Sequence, residues 1–250
     1  MISAAEYRKE REKLMERWEK ESRQWIKTEK AKCINNTINL NENANFFKDG
    51  AINPDIWYEN SFRPLFVLKE VNDQGVQKCI QYDFTAMNEE QESNIWNRDG
   101  MWSDFGALVK GLLRVMDDNV ELPPYEEMKA VSIENYREAI SRVAIMNLKK
   151  MAGGGKVESE KSRETIEYKY HINRFKKNIE EQISLLEPSI IICCGSGMAE
   201  DFDKYGVETY GIPIVQGLHP AINPNLRKVA FYNKTIERVR KTYYKQRGLC

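Results

Sequence analysis

Residues 64–73 read PLFVLKEVND, an apolar run that passes directly into charged and amide side chains. Strands that are apolar on both faces are typical of parallel sheets whose two faces are covered by helices. In such sheets the ligand site forms at the carboxyl ends of the strands. We therefore predict a buried parallel strand over residues 64–68, with the polar residues that follow it at a site edge.

The rest of the chain alternates between short apolar runs and segments whose apolar residues recur at helical spacing. Further strands are predicted over residues 143–146, 189–194 and 213–215. Helices are predicted over residues 3–32, 105–116, 168–186 and 227–246. This order predicts an α/β fold of three layers, α/β/α, with a central, mostly parallel four-stranded sheet and a long N-terminal helix. We divide the chain into an N-terminal helical extension and loop, residues 1–45, and an α/β domain, residues 46–250.

Composition limits the class of protein. The 38 basic and 38 acidic side chains balance, but a nucleic-acid partner is not excluded, because only the local field at a site matters. No segment is apolar for long enough to cross a bilayer, and the charged start does not resemble a signal peptide. The five cysteines form no C-x-x-C pair. We expect a cytoplasmic protein with reduced thiols, no membrane partner, no metal and no cofactor.

Three polar residues follow predicted strands. Glu70 comes after the first strand, Asn147 after the second, and His219 after the last. Each alone is an ordinary turn or surface residue. Because the carboxyl ends of parallel strands share one edge of a sheet, we expect these three side chains to lie near one another.

Five segments carry a resemblance to a known family. They are LKEVND (68–73), VAIMNLKKM (143–151), GGGK (153–156), EPSIIICCG (187–195) and GLHPAINP (217–224). In this order and spacing they resemble the uracil-DNA glycosylase superfamily, and most of all its thermophile-type iron–sulfur branch. The likeness spans residues 64–244.

The resemblance implies a DNA glycosylase that flips out uracil or a modified pyrimidine and hydrolyses its N-glycosidic bond, leaving an abasic site. His219 would donate to the departing base, and Asn147 would read the base edge. Glu70 would support the cation-like sugar and orient a water, with Asp73 as a second candidate carboxylate.

Stacking and DNA contact complete the expected site. Trp102 is the candidate aromatic platform for the flipped base, with Phe105 as its rival. The candidate phosphate contacts are Lys149, Lys150, Lys156, Ser196 and Pro220. For the lysines, a solvated basic loop is the equally weighted alternative. The expected partner is duplex or single-stranded DNA, and the N-terminal helix is a candidate surface for DNA or a protein.

Three departures from the family pattern keep alternatives open. Asn72 stands where the family has Pro, Val71 stands where some branches place a catalytic Asp or Asn, and Met151 stands at a cluster cysteine, so no iron–sulfur cluster is expected. One alternative is an anti-phage glycosylase that acts on bulky modified cytosine. A second is a catalytically silent DNA-binding module of the same fold, and a third is a small-molecule enzyme that uses the same strand edge.

Overall fold

The computed structural model describes residues 2–32, 45–73, 101–117, 120–129, 133–154, 166–217 and 228–248. Within these ranges the helices are α1 (Ala4–Lys32), α2 (Pro54–Glu59), α3 (Met101–Asp117), α4 (Tyr125–Met128), α5 (Ile133–Ile140), α6 (Ile166–Leu186), α7 (Met198–Tyr205) and α8 (Lys228–Gln246). The strands are β1 (Gly50–Ala51), β2 (Pro64–Asp73), β3 (Ala144–Gly154), β4 (Ile190–Cys194) and β5 (Ile214–Gly217).

The described strands form one mixed sheet in the order β1-β3-β2-β4-β5. Strands β2 to β5 are mutually parallel, whereas β1 pairs with β3 in the antiparallel sense. The predicted four-stranded sheet therefore gains a fifth, edge strand. Sequence reasoning missed β1 because two residues carry no periodicity, and its first residue, Gly50, has a φ of 146° that other residues rarely adopt.

Helices cover the sheet on both faces and bury two apolar clusters. On one face, α1, α6 and α7 pack against β-strand residues such as Val67 and Met146; we name this cluster the α6-side core. On the other face, α3, α4, α5 and α8 pack against residues such as Phe66 and Ile145; this is the α8-side core. Alternate residues of each strand point to opposite faces, and the two clusters follow that alternation. The three-layer α/β/α architecture is thus present.

Helix α1 is packed into the α6-side core. Its apolar residues Tyr7, Leu14, Trp18 and Trp25, spaced seven, four and seven positions apart, are buried there. The predicted N-terminal helix is thus laid across the domain. Tyr7 also ties α1 to the sheet, since its hydroxyl oxygen accepts a hydrogen bond of 2.9 Å from the backbone N–H of Ala51. A Cβ at position 50 would overlap the same hydroxyl.

Two strands are longer than their apolar runs. The prediction ended the first strand at residue 68 and the second at residue 146, whereas β2 continues to Asp73 and β3 to Gly154. The polar residues are strand residues because β2 and β3 pair along this whole length, with Glu70 opposite Lys149. An apolar run marks the part of a strand that both helical layers cover, and the ladder of hydrogen bonds extends beyond it.

Candidate functional site

The sheet has a topological switch point between β2 and β4. From β2 the chain continues to β3 on one side, whereas from β4 it continues to β5 on the other. In open α/β sheets, ligands bind outside the carboxyl ends of the strands at such a point. The ends of β2 at Asp73 and of β4 at Cys194 therefore define the candidate site.

The predicted carboxylates occupy the carboxyl part of β2. Glu70 pairs with Lys149 of β3, and Asp73 pairs with Gly154. The register shifts between Glu70 and Asn72, where β3 contains extra residues. Such bulges are over-represented beside active sites, because they re-aim side chains. The structure describes the backbone of Glu70 and Asp73, and their side chains lie outside what it describes.

Asn147 is inside β3 and not at its end. It pairs with Leu68 and is fully buried. Its backbone N–H and its side-chain Nδ2 both donate to Oδ2 of Asp49, at 2.7 and 3.0 Å. Its Oδ1 atom is buried without a hydrogen-bond partner in the part of the chain that is described. The predicted strand-end position of Asn147 is therefore wrong, and its amide donors serve an internal carboxylate.

Asp49 is the centre of a buried polar group that we name the Asp49 cluster, formed with Asn147, Lys150 and Gln182. Lys150 forms an ion pair with Asp49 in which both side chains are 0% exposed. Nε2 of Gln182 donates to Oδ1 of Asp49 at 2.8 Å. The ammonium of Lys150 also lies 4.8 Å from the centre of the Trp18 ring. The cluster thereby joins α1, α6 and β3.

The two predicted phosphate-binding lysines of this region are not in a loop. Lys149 and Lys150 are residues of β3, and both are buried. Burial lowers the pKa of Lys150 to about 8, although the nearby carboxylate of Asp49 opposes the shift. The assignment of Lys150 to a phosphate contact is wrong, because its ammonium is enclosed and paired. Sequence gave no signal of this pair, since 101 positions separate its members.

Phe105 is a core residue. Its ring is 1% exposed and packs edge-on against Phe66 of β2, with the ring centres 4.8 Å apart. In this arrangement it offers no free face to a flipped base, so the proposed platform role of Phe105 is wrong. Trp102 lies in the first turn of α3, and its side chain is outside what the structure describes.

The turn after β4 contains the predicted contact Ser196, which is exposed at the carboxyl edge of the sheet. The side chain of Gln216 bonds both to the first turn of α7 and to β4. Its Oε1 accepts a hydrogen bond from the N–H of Ala199 at 3.0 Å, and its Nε2 donates to the carbonyl of Cys193 at 3.1 Å. This side chain ties the ends of β4 and β5 together. The predicted contacts Lys156, His219 and Pro220 fall outside the described residues.

The structure contains a further buried carboxylate, Asp104, that was not predicted. Asp104, in the first turn of α3, is 3% exposed and accepts a hydrogen bond from the Tyr125 hydroxyl. Its Oδ2 lies 3.2 Å from Nζ of Lys228, the first residue of α8. Residues 74–100 precede α3, and residues 218–227 precede α8. The ion pair therefore joins the first turns of the two helices that follow these segments.

The chain has two histidines, and one of them is a core residue. His171 lies against Trp25 and Phe175, with ring centres 4.9 and 5.3 Å away. Burial, and then the charge of Lys149, lower its pKa to about 3. His171 is therefore neutral at physiological pH.

No group of three or more His, Cys, Asp or Glu side chains within the described ranges is placed to hold a metal ion. No described helix combines the length and apolar character needed to span a bilayer. Cys193 and Cys194 are buried free thiols, and burial raises the pKa of Cys194 to about 12, so this thiol is protonated and unreactive.

Comparisons with family models, with curated proteins and with solved structures gave no match to this chain. The resemblance to the uracil-DNA glycosylase superfamily therefore rests on the quoted sequence segments.

Proposed function

We propose that the protein is a DNA glycosylase whose site lies at the carboxyl edge of the sheet, at the switch point between β2 and β4. The observation that carries the proposal is the β2–β3 bulge at Glu70, beside this switch point. The end of β2 carries two acidic residues and a bulge beside this switch point. In the sequence, the segment with His219 follows directly after β5.

The chemistry requires two opposite charges to be stabilised. When the bond between the sugar C1′ and the base nitrogen breaks, the electron pair leaves with the base and the sugar becomes cation-like. The Glu70 or Asp73 carboxylate would stabilise that sugar and take a proton from the attacking water, whose oxygen forms the new bond to C1′. His219 would donate a hydrogen bond to the base as negative charge develops on it.

The base reader expected from the resemblance, Asn147, is engaged with Asp49. Its backbone N–H and its Nδ2 donate to Asp49, whereas its Oδ1 has no hydrogen-bond partner within the described residues, so base recognition by Asn147 would fall to this oxygen. The choice among uracil, a smaller modified pyrimidine and a bulky modified cytosine then depends on residues 74–100, which follow β2. The anti-phage activity on modified cytosine therefore stays an open form of the same proposal.

A silent DNA-binding module is the second candidate, and a specific observation favours it. The Asp49 cluster uses Asn147 and Lys150, two residues to which the resemblance gives ligand roles. A chain that retained the fold while its site residues took structural roles would show this arrangement. This candidate predicts salt-dependent DNA binding without base release.

Base release distinguishes the two. The full chain is incubated with duplex and single-stranded oligonucleotides that carry uracil, hypoxanthine, hydroxymethylcytosine or glucosylated hydroxymethylcytosine, and abasic sites are then cleaved with alkali. The glycosylase proposal expects strand breaks that Glu70→Gln and His219→Ala abolish. Glu59→Gln, an exposed residue at the end of α2, is the matched control and should cleave normally. DNA binding without breaks on every substrate would overturn the proposal in favour of the silent module.

A further inference from the structure

The exposed face of α8 carries a row of cations that we name the basic stripe: Lys234, Arg238, Lys241 and Lys245. These residues are spaced four, three and four positions apart, so they lie on one side of the helix. All four are exposed. At a rise of about 1.5 Å per residue the stripe is about 16 Å long. The opposite side of α8 is buried in the α8-side core.

The stripe takes part in no ion pair within the described residues. Lys234, Lys241 and Lys245 have no carboxylate within ion-pair distance there, and Arg238 donates to the carbonyl of Gln216 at 2.8 Å. The one carboxylate of α8, Glu237, is exposed and stands three residues after Lys234 and four before Lys241. Like charges one helical turn apart repel each other and weaken a helix. A bound polyanion would relieve that repulsion. The Arg238 contact lies near the carboxyl end of β5, whereas Nε2 of Gln246, next to Lys245, donates to the carbonyl of Gly211 before β5 at 2.8 Å. The stripe therefore runs along β5 from its carboxyl end toward its amino end.

Helix α1 makes a useful contrast because it is also highly charged. Several of its cations are paired with carboxylates of α1 itself or of neighbouring elements. These pairs include Arg8–Asp55, Lys13–Glu10, Arg17–Glu181 and Arg23–Glu19. Lys9, Lys20 and Lys27 form no ion pair within the described residues, but α1 has seven carboxylates along its length, whereas α8 has one, Glu237. This difference favours α8 over the N-terminal helix as a surface for an anionic partner.

We propose that the basic stripe binds the phosphate backbone of DNA. Apart from Val229, which is exposed in the first turn, the large apolar residues of α8 pack in the core, so the helix has no continuous apolar face to insert into a lipid surface. A regular row of single-sign charge matches a polymer with regularly spaced phosphates. The choice of DNA over another polyanion rests on the proposed function, whereas the stripe itself does not depend on catalysis.

The test is the salt dependence of DNA binding by the full chain. Affinity for a short fluorescent duplex without a modified base is measured by anisotropy across a series of salt concentrations. Each phosphate contact contributes about 0.9 to the slope of log affinity against log salt. The variant K234Q/R238Q/K241Q/K245Q should therefore lower that slope by about 3 to 4. The control K9Q/K13Q/K20Q/K27Q removes the same charge from exposed positions of α1 and should change the slope by less than about 1.

A second variant separates binding from folding. Lys234→Glu with Lys241→Glu puts a carboxylate four residues before Arg238 and Lys245, an arrangement that stabilises helices. The new pairs offset the like-charge contacts that both substitutions make with Glu237, so this variant should melt close to the wild-type temperature and yet lose DNA binding. Three results would overturn the proposal. The salt slope could be unchanged in the four-residue stripe variant, or the α1 control could lose as much of it. The stripe could also bind anionic vesicles or RNA in preference to DNA. Absence of base release would contradict only the glycosylase function.

Discussion

Asp49→Asn tests whether the Asp49 cluster holds α1, α6 and β3 together. The carboxylate accepts from Lys150, from two N–H groups of Asn147 and from Gln182. An amide at this position keeps one acceptor oxygen and turns its NH₂ group toward one of these donors. The ammonium of Lys150 would then be buried opposite a donor, with no negative charge to compensate it.

The expected loss is large because both members of the ion pair are 0% exposed. Removing one partner of a buried pair costs about 3–5 kcal/mol, since the remaining charge stays uncompensated. A domain of this kind has a total stability of about 5–15 kcal/mol. Asp49→Asn should therefore remove about a third or more of the free energy of unfolding.

The assay is urea unfolding at pH 7, followed by far-UV circular dichroism and by tryptophan fluorescence, to which Trp18 beside Lys150 contributes. Asp55→Asn is the matched control, because Asp55 is paired with Arg8 in an exposed ion pair. That control should leave the free energy of unfolding within experimental error. A loss of less than about 1 kcal/mol in Asp49→Asn would refute the reasoning, because it would mean that water or a shifted proton relieves the buried charge.

Three further changes test other parts of the structure. The free energy of unfolding should rise by about 1.4 kcal/mol per pH unit between about pH 8 and 10. Burial lowers the pKa of Lys150 in the folded protein, so the unfolded chain binds the proton more tightly in this range. Urea unfolding measures this rise, and Lys150→Met should abolish it. Asp104→Asn should lower the free energy of unfolding by about 1–3 kcal/mol, because the Lys228 ammonium loses its buried carboxylate. Gly111→Ala should lower the melting temperature and cost about 1–3 kcal/mol, because its Cβ would overlap the Tyr232 hydroxyl.

Each of these has a clear contrary result. A pH-dependent rise that persists in Lys150→Met would show that another group causes it. If Lys228→Gln and Asp104→Asn have additive effects in a double-mutant cycle, the two side chains do not interact. If Gly111→Ala unfolds like the wild type, α3 and α8 are not packed as closely as the structure shows.

Local patterns predicted the elements well where apolar residues dominate. The predicted strands at 189–194 and 213–215 correspond to β4 and β5, with ends shifted by one or two residues. The predicted N-terminal helix is α1, and its regularly spaced apolar residues are buried. The same patterns failed where strands turn polar. They ended β3 at residue 146. Apolar residues mark the part of a strand that helices cover, whereas the hydrogen bonds between strands can continue through polar residues.

The candidate site was predictable only as an edge of the sheet. Polar residues after apolar strands located that edge, and the parallel order places Glu70 there. The phosphate and stacking roles given to Lys150 and Phe105 failed for one reason. Each depends on a contact with a residue distant in sequence, namely Asp49 for the first and Phe66 for the second.

By itself, the sequence determined the α/β class, the alternation of strands and helices, and the amphipathic character of α1 and α8. These properties depend on the spacing of apolar residues within one element, which any short window of the chain contains. Only the tertiary structure decided which polar residues are internal and which face solvent. It enclosed Lys150 against Asp49 and left Lys234 and Lys241 exposed, with no ion pair in the part of the chain that is described. Burial and charge compensation depend on residues that come into contact only when the layers pack. A charged side chain can be buried only if an opposite charge is buried beside it, because desolvation of an unpaired charge is costly.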